Sequence, residues 1–288
     1  MNGLGKVSRE VPVLIAGPTA SGKSALAMEL AARDGRVIVN ADALQVYRCW
    51  RVLTARPSAA EEAALTHALF GQVEREAAWS VGHWLRAVGP LLDGPVVIVG
   101  GTGLYFRALT EGLAAVPTIP SEVRAAGDAL RVGDMDRMRA EVDAATRTRI
   151  DTANPVRVQR AWEVLRATGR GLAVWQDAGA RAILPLGRAE TMVLRPEVGW
   201  LNARIEARFS AMLAGGALDE VAAELPDWRD EMPYARAIGA RELVGYLRGE
   251  SDLAGATAAA VTATRQYAKR QRTWLRSHMK DWRGLVPE

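Results

Sequence analysis

An apolar run at 11–16 (Val-Pro-Val-Leu-Ile-Ala) leads directly into Gly17-Pro18-Thr19-Ala20-Ser21-Gly22-Lys23-Ser24, and a helical pattern, Ala-Leu-Ala-Met-Glu-Leu-Ala-Ala, follows at 25–32. Buried strand, glycine-rich turn and helix start in this order form the context of a phosphate-binding loop, the P-loop. Gly17 and Gly22 are expected to let the backbone curl around one anion. The helix after Lys23 adds its positive dipole end, and Lys23 adds a full charge. The Ser24 hydroxyl is suited to Mg²⁺. The chain therefore binds a phosphate or diphosphate group; the loop alone does not say what carries it.

The rest of the chain repeats the theme. Residues 36–40 and 95–99 read as further buried strands, each separated from its neighbours by helix, which predicts a parallel sheet. The second strand runs into Asp42, Gln45 and Tyr47, and the third into a second glycine-rich turn containing Thr102. Ligands of open α/β sheets lie beyond the carboxyl ends of the strands, so Asp42 is expected beside the phosphate. A helix N-cap is the competing role for Asp42, and likewise for Thr102 ahead of a helix starting near Leu104. Ser58 and Glu61 predict a capping box, 67–71 an edge strand or turn, and Ser80 the start of another amphipathic helix. Prolines mark a boundary near 115–121, after which 121–176 reads as helix only, rich in arginine. The sheet resumes at 191–195, and a short strand is expected in 282–288. The predicted architecture is a P-loop NTPase-like parallel sheet, helices on both faces, from 1–114 and 191–288, with an inserted all-helical domain at 115–190.

Charge and composition narrow the function. The formal net charge is +4, compatible with a polyanionic partner, and its distribution decides. From Arg265 to Arg283 there are seven Lys or Arg and one acid, Asp281, with Arg265, Lys269, Arg272 and Arg276 recurring on one helical face. Tyr267 and Trp274 form a separate stripe expected to pack into the core. The single cysteine, Cys49, forms no internal disulfide, and three scattered histidines offer no metal cluster. A cytoplasmic protein is expected: residues 1–10 have no apolar core, and no run nears the ~18 residues of a membrane span. The third strand ends without the Mg²⁺-binding acid common in P-loop enzymes that use nucleoside triphosphates, which suits a small-metabolite kinase less well than group transfer onto a nucleic acid.

With these residues in view, the chain resembles the tRNA dimethylallyltransferases, also called tRNA isopentenyltransferases. The resemblance rests on 17–24, on 42–47 (Asp-Ala-Leu-Gln-Val-Tyr), 54–57 (Thr-Ala-Arg-Pro), 67–70 (His-Ala-Leu-Phe) and 80–84 (Ser-Val-Gly-His-Trp). It continues through 99–105 (Val-Gly-Gly-Thr-Gly-Leu-Tyr), 156–163 (Val-Arg-Val-Gln-Arg-Ala-Trp-Glu), 237–242 (Ala-Ile-Gly-Ala-Arg-Glu) and 264–271 (Thr-Arg-Gln-Tyr-Ala-Lys-Arg-Gln). Ala43, Leu53, Gly71 and Ala240 depart from the family pattern.

The resemblance implies transfer of a dimethylallyl group from dimethylallyl diphosphate to N6 of an adenosine beside the tRNA anticodon. It implies Asp42 as general base and Thr102 as its catalytic partner orienting the amine. The diphosphate would be held by Gly17, Thr19, Ala20, Ser21, Gly22, Lys23 and Ser24, with Mg²⁺ on Ser24, and by Arg236 and Arg241. The anticodon stem-loop would meet Asp42, Ala43, Leu44, Gln45 and Thr102, with Gln45 reading the base. Arg124, Val156, Arg157, Val158, Gln159 and Arg160 would hold the RNA, together with Arg265, Gln266, Lys269 and Arg270. A monomer without membrane attachment is expected. A P-loop kinase and a non-catalytic RNA-binding module are the competing classes; donor choice separates the kinase, and the intact Lys23, Asp42 and Thr102 speak against the module.

Overall fold

Short apolar runs set between amphipathic helices produce, in the computed structural model, β1 (Val13–Ala16), α1 (Lys23–Asp34), β2 (Val37–Asn40), α2 (Ala59–Ala64), β3 (His67–Ala68), α3 (Val81–Val88), β4 (Val96–Gly100) and α4 (Gly103–Glu111). Five helices follow: α5 (Ser121–Gly133), α6 (Met135–Glu141), α7 (Ala144–Arg147), α8 (Pro155–Thr168) and α9 (Leu172–Asp177). The chain closes with β5 (Glu190–Leu194), α10 (Val198–Ala214), α11 (Ala217–Glu224), α12 (Ala240–Leu247), α13 (Leu253–His278) and β6 (Arg283–Leu285). The structure describes residues 7–287; most of the 1–10 segment considered above lies outside them.

The six strands form one sheet in the order β3-β2-β4-β1-β5-β6, and every pairing is parallel. β1 and β4 are buried throughout, as interior strands of a covered parallel sheet must be. Successive side chains of β1 point to opposite faces. Val13 and Ile15 pack with Leu26 and Leu30 of α1, while Leu14 and Ala16 pack with Trp84 of α3 and Phe106 of α4. The expected capping box forms at Ser58 with Glu61; Ser80 starts the expected helix and forms a second box with His83, which the sequence reading did not anticipate. The 67–71 segment supplies the edge strand β3, and the expected terminal strand is β6, paired to β5.

The chain divides into two units, Met1–Thr110 with Ile183–Glu288, and Glu111–Ala182. The second unit is helical and has its own core of Met138, Val142, Val158, Ala161 and Trp162. Within it the Glu141 carboxylate accepts from Trp162 Nε1 at 2.7 Å, Arg137 Nε at 2.9 Å and Arg166 Nη2 at 2.8 Å. Residues 183–190, read from sequence with the helical block, cluster with the sheet unit. A third cluster in the sheet unit joins the loop around Trp50 to α10, α11, α12 and α13, with Phe209, Val221, Tyr234 and Leu243 at its centre. That cluster fixes α10 opposite the carboxyl ends of β1 and β2. Among the described residues no helix is long and apolar enough to cross a membrane.

Candidate active site

The P-loop turns between β1 and α1 through two left-handed residues, Ala20 at φ 62° and Gly22 at φ 88°. Gly17 does not share this conformation. It is a glycine because a Cβ there would meet the Ser21 hydroxyl at 2.7 Å and Leu194 at 3.1 Å. The curl expected from Gly17 and Gly22 therefore rests on Ala20 and Gly22. An alanine in the left-handed region is costly unless its surroundings hold it. Arg204 of α10 does so, its Nε donating to the Ala20 carbonyl at 3.0 Å. Ser21 is fully buried and its hydroxyl has no partner among the described residues, so it lies behind the loop. The first N–H groups of α1 have no acceptor within the helix and remain for a ligand.

At the end of β2 the buried Asn40 organises the next turn. Its Oδ1 accepts the Asp42 N–H at 2.8 Å, and its Nδ2 donates to the Asp42 carbonyl at 2.9 Å and the Leu69 carbonyl at 3.0 Å. Asp42 Oδ1 accepts the Leu44 N–H at 3.0 Å, closing an Asx turn with no helix after it, so the N-cap role does not apply. Among the described residues, none hydrogen-bonds Asp42 Oδ2. Thr102 does not line the cavity; its hydroxyl accepts the Ala43 N–H at 3.0 Å and braces the Asp42 turn from the β4 side. Gln45 donates both amide hydrogens, to the carbonyls of Thr54 at 2.8 Å and Ala55 at 2.9 Å. This holds Ala55, another left-handed alanine at φ 50°.

These elements enclose a cavity of about 450 Å³. Thr19, Ala20, Gly22, Lys23 and Ser24 form one side, Asp42, Leu44 and Gln45 another, and α10 closes it with Arg204 and Arg208. Leu53, Ile205, Phe209, Met212 and Ile238 supply an apolar wall, and Tyr267 of α13 also contributes. Tyr267 was expected in the core; it is partly buried and faces this space. Burial pulls the Lys23 ammonium down to about 8; Asp42 opposes the shift and the positive Arg208 adds to it. Burial also lowers Arg208 against the attraction of Asp42, and raises the Tyr267 hydroxyl, with Asp42 adding to the rise. Cations thus crowd a partly desolvated space where they repel one another, an arrangement that an anion relieves.

Arg204 and Arg208 escaped the sequence reading. Their signal was present: on α10 they stand four residues apart, one turn of helix, on the side that carries Ile205 and Phe209. The two arginines expected at the diphosphate lie elsewhere. Arg236 is exposed at the end of a 3-10 turn whose neighbours Ala235 and Ala237 are buried, so its side chain points outward. Arg241 is exposed on α12, its Nη2 donating to the Asp230 carbonyl at 2.5 Å. Neither lines the cavity.

The residues expected on RNA are also placed unevenly. On α13, Gln266, Lys269, Arg270 and Arg276 are exposed, Arg270 lies over the Tyr267 ring, and Arg265 is ion-paired with Glu206 of α10. In the helical unit Arg124, Val156 and Arg157 are exposed and Arg160 is half-buried near Arg124, but Val158 is 1 % exposed in that unit's core. Gln159 is engaged by Asp128 and Glu163. Two of the departures from the family pattern have local reasons. A Cβ on Gly71 would collide with the Arg56 guanidinium, and Leu53 extends the apolar wall.

Comparison with known proteins agrees with this geometry. A family model described as IPP transferase matches residues 45–278, and one described as isopentenyl transferase matches 11–71. The tRNA dimethylallyltransferase of Cereibacter sphaeroides (strain ATCC 17023) is 62 % identical over 277 residues, covering 95 % of this chain and 88 % of that protein. The tRNA dimethylallyltransferase of Dinoroseobacter shibae is 58 % identical over 288 residues, covering 99 % and 97 %. The crystal structure of a tRNA isopentenylpyrophosphate transferase from Bacillus halodurans superposes with a TM-score of 0.68 at 26 % identity, over 96 % of this chain and 90 % of the other. A eukaryotic dimethylallyltransferase acting on tRNA shares the fold, with a TM-score of 0.81 at 22 % identity, over 96 % and 74 %. A P-loop sheet with a basic cavity, matched across nearly its whole length by these proteins, places the chain in the IPP transferase family, among the tRNA dimethylallyltransferases.

Proposed function

We propose that this enzyme transfers a dimethylallyl group from dimethylallyl diphosphate to the exocyclic N6 of an adenosine next to the anticodon of tRNA. The observation that carries the reading is one cavity in which a phosphate-binding lysine, two arginines, a single carboxylate and an apolar wall meet. The diphosphate fits the cationic side, at the α1 N-terminus with Lys23, Arg204 and Arg208. The five-carbon group fits the wall of Leu53, Ile205, Phe209, Met212 and Ile238. In the reaction the N6 lone pair forms a bond to C1 of the prenyl group, the C1–O bond breaks, and diphosphate leaves with that electron pair. Asp42 Oδ2 takes the N6 proton while Oδ1 stays on the Leu44 amide. Negative charge grows on the departing oxygen, where the preset cations stabilise it.

Mg²⁺ fits this arrangement as an ion carried largely by the substrate. Among the described residues no cluster of three or more His, Cys, Asp or Glu could hold a metal, and none hydrogen-bonds the Ser24 hydroxyl, which lines the cavity. One protein hydroxyl with diphosphate oxygens and water is a common Mg²⁺ environment. When bound there it would supply further neutralisation of the leaving group.

The adenosine must leave its stack to reach Asp42, which single-stranded loop bases do most readily. Lys269, Arg270 and Arg276 on α13 are suited to the RNA backbone. A kinase is the weaker reading because, among the described residues, Asp42 is the only acid lining the cavity. Incubation with labelled dimethylallyl diphosphate, Mg²⁺ and unmodified tRNA, followed by digestion, should yield one labelled N6-modified adenosine. ATP hydrolysis stimulated by a small alcohol, with no labelled nucleoside, would overturn the proposal.

A further inference from the structure

Gln271 lies in the C-terminal third of the basic helix α13, yet it faces inward and is only 6 % exposed. Its Oε1 accepts the Thr19 N–H of the P-loop at 2.9 Å, and its Nε2 donates to the Gly101 carbonyl of the second glycine-rich turn at 3.1 Å. The orientation of this amide is not arbitrary. Thr19 N–H can only donate and the Gly101 carbonyl can only accept, so the two contacts fix which end is oxygen. One side chain therefore spans the loops that follow β1 and β4. The glycines of the second loop are shaped to receive it: a Cβ on Gly101 would collide with the Gln271 amide, and one on Gly103 with the Trp274 ring. Tyr267, one turn earlier on α13, lines the cavity. The Thr19 N–H is also withdrawn from any anion, so the loop must offer its later N–H groups instead.

We propose that Gln271 is a positioning residue for the transfer reaction, holding the P-loop in its anion-binding conformation from the basic helix through the reciprocal amide pair on Thr19 and Gly101. The proposal deepens the diphosphate reading above and rests on it. Gln271 touches neither reacting partner. It acts by fixing where Thr19 and Ala20 stand, so its loss should weaken diphosphate capture and leave the exposed face of α13 unaltered. Removing the amide strands one buried donor and one buried acceptor, and the loop is then expected to shift to satisfy them.

Pyrophosphate binding, measured by calorimetry with Mg²⁺ on the full chain, tests this for wild type, Gln271→Leu and Gln271→Glu. Gln271→Leu should weaken pyrophosphate by about 10- to 100-fold, consistent with two lost buried hydrogen bonds, and raise the KM for dimethylallyl diphosphate more than it lowers kcat. Its tRNA affinity should stay within about twofold of wild type, a difference too small to reflect a lost contact. Gln271→Glu supplies a readout that a merely structural role would not give. A protonated glutamic acid offers the same acceptor and donor as glutamine, whereas the ionised form meets the Gly101 carbonyl with negative charge. Burial and that carbonyl raise its pKa above the usual ~4.3. Its deficit relative to wild type at the same pH should therefore narrow from pH 8 to pH 5.5, while the Gln271→Leu deficit stays constant. Lys23, Asp42, Arg204, Arg208 and Tyr267 face this region. The Tyr267 hydroxyl, which hydrogen-bonds the Gln271 side chain and is raised by burial, stays protonated across the range, and comparison with wild type at the same pH removes the shared titration of Lys23. Wild-type pyrophosphate affinity in Gln271→Leu overturns the proposal, as does a Gln271→Glu deficit unchanged across that range. Failure of wild type itself to bind pyrophosphate overturns the diphosphate reading instead, and the proposal with it.

Discussion

At Asp42 the two carboxylate oxygens have separate surroundings, Oδ1 on the Leu44 N–H and Oδ2 with no hydrogen bond among the described residues, and this makes a clean substitution possible. Asparagine keeps Oδ1 for the Leu44 N–H and leaves the Asn40 brace untouched, but it cannot take a proton. Asp42→Asn should lower turnover by about 10²–10⁴ if it removes the general base, with tRNA binding unchanged. Turnover close to wild type in steady-state assays would remove Asp42 from the chemistry. Lys23 gives a second test. Its ammonium titrates at about 8, chiefly because it is buried. Diphosphate favours the charged form, so pyrophosphate affinity should fall as pH rises through that value, and binding near pH 8 should take up a proton. Calorimetry in two buffers of different ionisation enthalpy measures the uptake, which Lys23→Met should abolish. The stability effect has the opposite sign. The folded value lies below the ~10.4 of an unfolded lysine, so between the two the unfolded chain binds more protons and stability rises with pH. At pH 7 the charged lysine is a burden on the fold. Lys23→Met should therefore melt higher than wild type at pH 7; an equal or lower melting temperature would contradict the burial argument.

At the scale of elements, the sequence was most readable where local chemistry decides the structure. The P-loop, the Ser58 and Ser80 caps and the buried runs of β1, β2 and β4 are each set by a few adjacent residues. The basic cavity was less readable because its walls come from elements far apart in the chain. Arg204 and Arg208 enter the cavity because the Trp50–Phe209–Leu243 core seats α10 there; their place beside Ile205 and Phe209 marks one side of their helix, but only that seating shows what the side faces. Arg236 and Arg241, beside an eye-catching Gly239, lie outside the cavity for the same reason: the packing of Tyr234, Ala235 and Ala237 turns the chain outward. The basic stripe on α13 was legible as a pattern, but Arg265 is neutralised by Glu206, which only the fold reveals. Its free charge is thus concentrated toward Lys269, Arg270 and Arg276. Lys269→Gln with Arg276→Gln should weaken tRNA binding and flatten the log–log salt dependence by about 1.4 to 1.8, at roughly 0.7–0.9 per lost phosphate contact. Pyrophosphate affinity should not change. Identical salt slopes for variant and wild type would leave α13 as a solvated surface.

At the scale of the whole molecule, the helical unit can be tested by removal, because the chain leaves and re-enters the sheet unit at one point. The Leu109 carbonyl accepts the N–H of both Ile183 at 3.1 Å and Leu184 at 3.0 Å, so the two ends of the excursion are already joined. The excised stretch, Glu111–Ala182, has a core of its own, and the cavity-lining residues all belong to the other unit. Replacing 111–182 by a short glycine–serine linker between Thr110 and Ile183 needs only a tight turn, which such a sequence accommodates. The shortened protein should fold, bind pyrophosphate with an affinity near that of the full chain, and retain the pH dependence of Lys23. Its tRNA affinity should fall by at least about tenfold if Arg124, Arg157 and Arg160 contact RNA phosphates, since those residues go with the deleted unit. The two measurements separate the roles. If pyrophosphate binding is lost while the core still melts cooperatively, the anion site depends on the helical unit and the cavity as described is incomplete. If tRNA affinity survives the deletion, the RNA is held by α13 and the rim of the Asp42 turn alone, and the arginines of α5 and α8 serve only the helical unit itself.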